Sequence, residues 1–225
     1  MISIIVPVYN EKKTIASSLE RILALPFEKE VIVVDDGSKD GTNLILEGLN
    51  ASHNFRLIIQ PNNQGKGAAV RRGLEEISGD CFIVCDADLE YDPAEISILW
   101  EKLSLDADRE VAIYGSRFLG HKGKNLSYLA NRLLTWLTNR LFATKLTDME
   151  TCFKLVPRSA LLKLKLEAKG FEIEPEITAQ LIKNGYAIEE CPISYDPRGY
   201  GQGKKIGFRD GVKAIITLFR QKLKK

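Results

Sequence analysis

The chain opens on a run that is apolar with almost no relief, Ile2 to Val8, and then changes period: between Lys13 and Leu25 the apolar residues Ile15, Leu19, Ile22 and Leu23 recur at helical spacing. The alternation continues. Val31 to Asp35, Arg56 to Ile59 and Cys81 to Cys85 read as further strands, separated by helical patterns at Thr42 to Leu49 and Ala68 to Ile77. Strands apolar on both faces and joined by helices belong to a mostly parallel sheet covered on both sides, and ligands of such sheets bind at the carboxyl ends of the strands.

Those ends are polar here. The first strand runs into PVYNE (residues 7–11), the second into DDGSKDGT (35–42), the third into PNNQGKG (61–67) and the fourth into DADLEYDP (86–93). Turn chemistry alone uses Asp, Asn and Gly and accounts for any one of these loops. Four at successive strand ends point to one shared site.

DADLE carries the sharpest chemistry. Asp86, Asp88 and Glu90 lie two residues apart, so an extended backbone turns all three carboxylates to one side. Without a cation they repel and raise one another's pKa; Mg2+ or Mn2+ resolves this with hard oxygen ligands and leaves positions open for phosphate oxygens. A helix cap ahead of Pro93 explains one of the acids, not three. Asp35 and Asp36, at a strand-to-helix turn, suit hydrogen bonds from a base N–H or a ribose hydroxyl. Lys66, between Gly65 and Gly67, reaches a base or a phosphate, or is a plain surface lysine. The dinucleotide glycine fingerprint and the P-loop are both absent, which disfavours NAD and P-loop chemistry.

IVPVYNE, VVDDGSKDGT, NNQGKGAAVRRG and DADLE, in this order, resemble the nucleotide-sugar-binding half of inverting family 2 glycosyltransferases. Gly115 to Arg117, Ser127, Ala130 with Asn131, TDMETCFKLVPR (147–158), FEIEPEI (171–177) and YDPRGYGQGKKI (195–206) resemble, more narrowly, the polyprenyl-phosphate sugar transferases, such as dolichol-phosphate mannose and glucose synthases. The resemblance implies a GT-A fold: a Rossmann-like sheet with helices on both faces, a nucleotide-sugar half at 1–120 and an acceptor half at 121–225 within one catalytic domain. It implies that Pro7, Tyr9, Glu11 and Asp35 hold the nucleoside with Asp36 and Lys66 nearby, and that Asp86, Asp88 and Glu90 hold the metal, Glu90 being Gln in some members. Arg117 and Ser127 match acceptor-phosphate contacts, with Lys122 or Lys124 in place of an arginine of some relatives, while Arg198 and Lys204 match a late loop that closes on the donor diphosphate. A phosphate acceptor needs no general base; a sugar hydroxyl does, and Asp148 or Glu150 then serves, unless they pair with Arg140, Lys145 and Lys154. The implied reaction moves mannose or glucose from a GDP- or UDP-sugar to a polyprenyl phosphate. Its rivals are transfer to a saccharide or protein hydroxyl, and a nucleotide-sugar-binding module without catalysis.

Composition sharpens this. The 225 residues carry a formal charge of +2, but residues 1–115 hold 20 acidic and 11 basic side chains, and residues 116–225 hold 10 and 21. A basic second half expects an anionic partner. No nucleic-acid-binding motif accompanies it, which leaves phosphorylated lipid and membrane. Leu126, Leu129, Leu133, Leu137 and Leu141 recur at helical spacing beside Trp136 and Phe142; Phe208, Val212, Ile215, Ile216, Phe219 and Leu223 do so near the end, among Lys213, Arg220, Lys222, Lys224 and Lys225. Basic amphipathic helices either lie in a bilayer interface or pack on their own domain. No apolar stretch is long enough to span a bilayer and no basic leader opens the chain, so a protein peripheral at the cytoplasmic face of a membrane, with or without an anchoring partner, is expected. Cys81, Cys85, Cys152 and Cys191 lack metal spacing and read as free thiols; the parity of Cys81 and Cys85 puts both on one face of their strand.

Overall fold

The computed structural model describes residues 1–105, 110–119, 126–198 and 207–224, so that Lys122, Lys124 and Lys204 lie outside the described residues. Seven strands, β1 (Ile2–Val8), β2 (Lys29–Asp35), β3 (Arg56–Ile59), β4 (Cys81–Val84), β5 (Val111–Ser116), β6 (Lys154–Pro157) and β7 (Ala187–Pro192), form one sheet in the order β3-β2-β1-β4-β6-β5-β7. β1 pairs parallel with β2 and β4, and β2 with β3. β6 is antiparallel to both β4 and β5, and β7 is parallel to β5. All strands but β6 therefore share one direction. The carboxyl ends of β1, β2, β4, β5 and β7, and the amino end of β6, lie on a single edge.

The helices are α1 (Ile15–Leu23), α2 (Thr42–Asn50), α3 (Lys66–Leu74), α4 (Ile96–Leu105), α5 (Leu126–Phe142), α6 (Ile173–Lys183) and α7 (Phe208–Leu223). The period-two alternation of the strands divides the core. Ile4, Val6, Val33 and Ile83 face one side with Ile15, Leu19 and Ile22 of α1, Leu46 of α2 and Leu99 of α4. Ile5, Ile32, Val34, Phe82 and Tyr114 face the other with Ala69 and Val70 of α3 and Ile173, Ile177 and Leu181 of α6. Each fully buried aliphatic side chain contributes ~1.5–3 kcal/mol, and the two faces together fix the register that aligns the strand ends. The four cysteines are free and buried, with Cys81 and Cys85 in the same core as their parity requires. The expected α/β architecture is the one observed.

The two amphipathic helices divide their apolar residues. Leu134 of α5 and Ala214 and Leu218 of α7 are buried with Leu146 and Met149, and Leu137, Leu141, Phe142 and Ile215 pack against them. Leu129, Leu133 and Trp136 of α5, and Phe208, Val212, Ile216, Phe219 and Leu223 of α7, stay exposed. Packing on the domain explains the first set and leaves the second uncovered. Among the described residues no helix is long and apolar enough to cross a membrane.

Helix α3 begins at Lys66 rather than Ala68 because Gly65, at φ +100°, turns the chain straight into it. Ala68 N–H donates to Lys169 C=O, and a Cβ on Gly65 falls 2.3 Å from that same oxygen. The loop after β3 and the segment before α6 are thus in backbone contact. Gly65→Ala is expected to lower stability by about 2–3 kcal/mol, through left-handed strain and the backbone clash, read from the denaturation midpoint.

Candidate active site

At the end of β2 the two aspartates divide their work. Asp36 accepts from Gln60 Nε2 at 2.9 Å, Gln64 N–H at 2.8 Å and Gly65 N–H at 2.7 Å, so it holds the 60–65 loop. Burial pushes its pKa up, against the pull of those backbone donors. Asp35 is fully buried; its Oδ1 accepts from the Ser38 N–H at 3.2 Å and hydroxyl at 2.5 Å, while its Oδ2 has no hydrogen-bond partner among the described residues. Pro7 pairs in register with Val34, and half-buried Tyr9 follows β1. Asn10, at φ 52°, donates its N–H to Ser38 Oγ at 2.9 Å and accepts from Lys39 N–H at 2.8 Å, tying the turn after β1 to the turn after β2.

The turn after β4 departs from the extended geometry that the sequence spacing suggests. Leu89 takes φ 62°, and Asp88 Oδ1 accepts the Glu90 N–H at 3.1 Å, so residues 86–90 coil instead of running straight. An Asp two residues before a backbone donor closes such a turn readily. The three carboxylates consequently divide between two cations. Asp86 accepts from Lys66 Nζ at 2.8 Å. Asp88 and Glu90 stand 3.2 and 3.6 Å from the guanidinium of Arg198, which also donates to both oxygens of Glu11 at 3.0 and 3.1 Å. Glu90 further accepts the Tyr195 hydroxyl at 2.5 Å. Burial, with the charges of Asp86 and Glu90, pushes Asp88 up to about 6.

Lys66 is no surface lysine. It also meets Glu174 at 3.1 Å, and Glu174 meets Lys154 at 2.5 Å, so that acid and base alternate along Asp86, Lys66, Glu174 and Lys154. This row is nearly sealed from solvent at Lys154 and Glu174, both under one-tenth exposed.

At the end of β5, Arg117 donates from Nε and Nη2 to the two oxygens of Asp148 at 2.7 and 2.8 Å, and its N–H adds a third bond at 3.0 Å. Asp148 is fully buried. Its partner is therefore Arg117 and not Arg140, Lys145 or Lys154, because the turn before β6 brings it to the mouth of β5. The guanidinium lies 5.0–5.9 Å from the ring centres of Tyr195, Phe118 and Tyr91. Glu150 keeps a sealed oxygen, Oε1, without a partner among the described residues, and burial raises its carboxyl to about 7. Ser127 sits half-buried in the first turn of α5.

The structure thus joins Glu11, Asp88, Glu90 and Arg198 in one group, Asp86 and Lys66 in a second, and Arg117 and Asp148 in a third, with Tyr195 touching the first and the third. Among the described residues no three Asp, Glu, His or Cys side chains stand ready to hold a metal ion. The donor set still suits one: hard carboxylate oxygens at a strand mouth, where burial and the charges of Asp86 and Glu90 outweigh Arg198 at Asp88. Sequence reasoning missed Glu174, Lys154, Tyr91 and Tyr195 as site-building residues. A lysine inside the buried run CFKLV and an acid inside FEIEPEI were the available signals.

In an open α/β sheet the ligand site lies at the carboxyl ends of the strands, and here the charged groups are gathered at that edge. The chain belongs to glycosyltransferase family 2: residues 3–165 match the family described as Glycosyl transferase family 2. It is 31% identical over 92% of its length to a dolichol-phosphate mannosyltransferase of Pyrococcus furiosus, covering 59% of that protein. It is 29% identical over 92% of its length to an undecaprenyl-phosphate 4-deoxy-4-formamido-L-arabinose transferase of Pseudomonas fluorescens, covering 61% of it. The chain therefore spans about three-fifths of these two relatives. Its fold matches glucosyl-3-phosphoglycerate synthase of Mycobacterium tuberculosis, solved with Mn2+, uridine diphosphate and phosphoglyceric acid, at TM-score 0.73 and 20% identity over 99% of this chain and 78% of that one.

Two outcomes follow from the buried charges. Glu174→Ala removes the carboxylate that pairs with buried Lys154 and is expected to cost ~3–5 kcal/mol in chemical denaturation, whereas the double change Lys154→Met with Glu174→Leu recovers most of that loss. Glu150 binds its proton more tightly folded, at about 7, than at its ordinary 4.5, so its contribution to stability is full below pH 4.5 and is lost as pH rises to 7. Glu150→Gln, which has no such titration, should be more stable than the unaltered protein at pH 8 by about 1–3 kcal/mol, with the difference vanishing near pH 4.

Proposed function

We propose that this chain transfers a hexose, mannose or glucose, from a GDP- or UDP-sugar to a polyprenyl or dolichyl phosphate at the cytoplasmic face of a membrane, with Mg2+ or Mn2+ beside the donor diphosphate. The observation that carries the reading is the gathering of Glu11, Asp35, Asp86, Asp88 and Glu90 on one sheet edge, with Lys66, Arg117 and Arg198 among them. Support for the donor comes from the fold relatives solved with uridine diphosphate, UDP-glucose, Mn2+ or Mg2+. Support for the acceptor comes from relatives named for dolichol phosphate and undecaprenyl phosphate.

In this reading the unpartnered Oδ2 of Asp35 accepts an N–H from the base, in a nucleoside site shared with Pro7, Tyr9 and Glu11. Asp36 acts at one remove, by holding the loop that carries Lys66. Asp88, with Asp86 and Glu90, holds the divalent ion, which when bound supplies positive charge against the departing diphosphate. Lys66, bonded to Asp86 at 2.8 Å, fixes that carboxylate in direction. Arg198, with Lys204 of the same late segment, serves the donor phosphates. Arg117 offers the acceptor phosphate, with Ser127, a cation whose direction Asp148 sets; the second terminal nitrogen lies outside that pair.

Asp148, sealed and bonded on both oxygens, is poorly placed to take a proton, which supports an acceptor that arrives as a phosphate anion. Transfer to a saccharide or protein hydroxyl is the second reading, and the raised carboxyl of Glu150 is the observation in its favour. The uncovered apolar residues of α5 and α7, interleaved with Arg132, Arg140, Lys213 and Arg220, fit an anionic bilayer surface, at ~1 kcal/mol per basic residue. An anchoring partner protein is compatible with so loose a hold.

Incubation with labelled GDP-mannose or UDP-glucose, Mn2+ and a polyprenyl phosphate should place label in the lipid fraction. Asp88→Ala should abolish this while leaving the circular dichroism unchanged; undiminished turnover refutes the assignment of Asp88. Sedimentation with vesicles of anionic lipid should fall at least about tenfold for Leu133→Asp combined with Ile216→Asp, since each charge opposes insertion of an apolar face.

A further inference from the structure

One guanidinium stands where three strand-end carboxylates require a cation. Arg198 reaches Glu11, which follows β1, and Asp88 and Glu90, which follow β4, at 3.0–3.6 Å, although it lies 187 residues beyond Glu11. The contact is built in. Arg198 N–H donates to Glu90 Oε1 at 3.1 Å, Asp196 N–H to Glu90 C=O at 2.9 Å, and Ser194 donates its N–H and its hydroxyl to the Glu95 carboxylate at 2.8–3.0 Å. It is also incomplete. Arg198 Nε is buried without a hydrogen bond among the described residues, because Glu90 at 3.6 Å is too far to accept one. A buried donor left without an acceptor is destabilising, so this berth holds the arginine less firmly than its number of acidic neighbours suggests.

We propose that Arg198 is an internal stand-in for the donor's divalent cation: without donor it neutralises Glu11 and Asp88, and the incoming ion must displace it. This rests on the reading of Asp88 as a cation ligand given above. An ion held by Asp88 and Glu90 brings a second positive charge within a few ångströms of the guanidinium that stands 3.2 and 3.6 Å from them, so metal binding and the Arg198 contact oppose each other. The displaced guanidinium then needs an anion, and the diphosphate that accompanies the ion is one. Metal and nucleotide are therefore coupled through Arg198: each binds weakly alone, and each lowers the cost of the other. If the arginine-bound form outnumbers the open form by about ten to one, the apparent affinity for the ion alone falls by about tenfold. The arrangement keeps stray divalent ions out of the site until they arrive with a nucleotide.

The test is a Mn2+ titration of the full chain, with free ion read by electron paramagnetic resonance, with and without uridine or guanosine diphosphate and in the absence of any acceptor. Arg198→Ala should bind Mn2+ alone about tenfold more tightly than the unaltered protein and gain much less from nucleotide. Arg198→Lys, which keeps the charge but not the bidentate reach, should fall between the two. Arg21→Ala, which removes an exposed charge from the groove beside Glu90, should shift the affinity far less and so separates displacement from general electrostatics. Equal or weaker Mn2+ binding by Arg198→Ala overturns the exchange and leaves the metal assignment standing. Absence of Mn2+ binding in every variant, with nucleotide present, overturns the metal assignment and the exchange with it.

Discussion

Everything at this edge follows from carboxylates brought closer together than their charges permit. Parallel strands in register carry Glu11, Asp35, Asp86, Asp88 and Glu90 to one line, and a sheet whose faces are sealed by helices gives them little water. Such a group is stable only if cations from elsewhere in the chain are held against it, and the second half of the chain is organised to supply or steady them. Arg198 comes from beyond β7, Arg117 from the end of β5, and Lys66 is kept in place by Glu174 of α6. Buried ion pairs are a weak source of net stability and a strong source of specificity in position, because breaking one leaves the other charge stranded.

The organisation of the first half was legible because strand and helix periods there alternate cleanly, and turn residues mark each strand end. The carbonyl-edge loops were found from their composition alone. What the sequence did not disclose was partnership. DADLE reads as three ligands in a row when the backbone is taken as extended; Leu89 in the left-handed region, which residue-type preferences argue against, coils the turn and leaves Asp86 with Lys66 and the other two with Arg198. Asp148 has three basic residues nearby in sequence, yet pairs with one 31 positions away, since only the antiparallel placement of β6 decides what its preceding turn faces. Lys154 and Glu174 were readable as charged residues in apolar runs, but not as each other's counterion.

The opposed charges of the two halves take on a structural meaning in this light. The acidic excess is concentrated in function at strand mouths, where a cation and a nucleoside are expected. The basic excess is divided between residues that enter this edge, such as Arg117, Lys154 and Arg198, and residues that ride on α5 and α7 beside uncovered apolar side chains. The first set answers an internal need and the second an external one, and only the three-dimensional arrangement separates them.

The position of β6 has a consequence for how the molecule comes into being. The expected boundary near residue 120 does not separate two folding units, because β6 lies between β4 and β5 and joins them. A nascent chain ending there holds β4 with an apolar, unpaired flank, the kind of strand edge that recruits other chains. The first half of this protein is therefore sticky until the second half has been made, and its solubility during synthesis depends on a four-residue strand that is the last to reach the centre of the sheet.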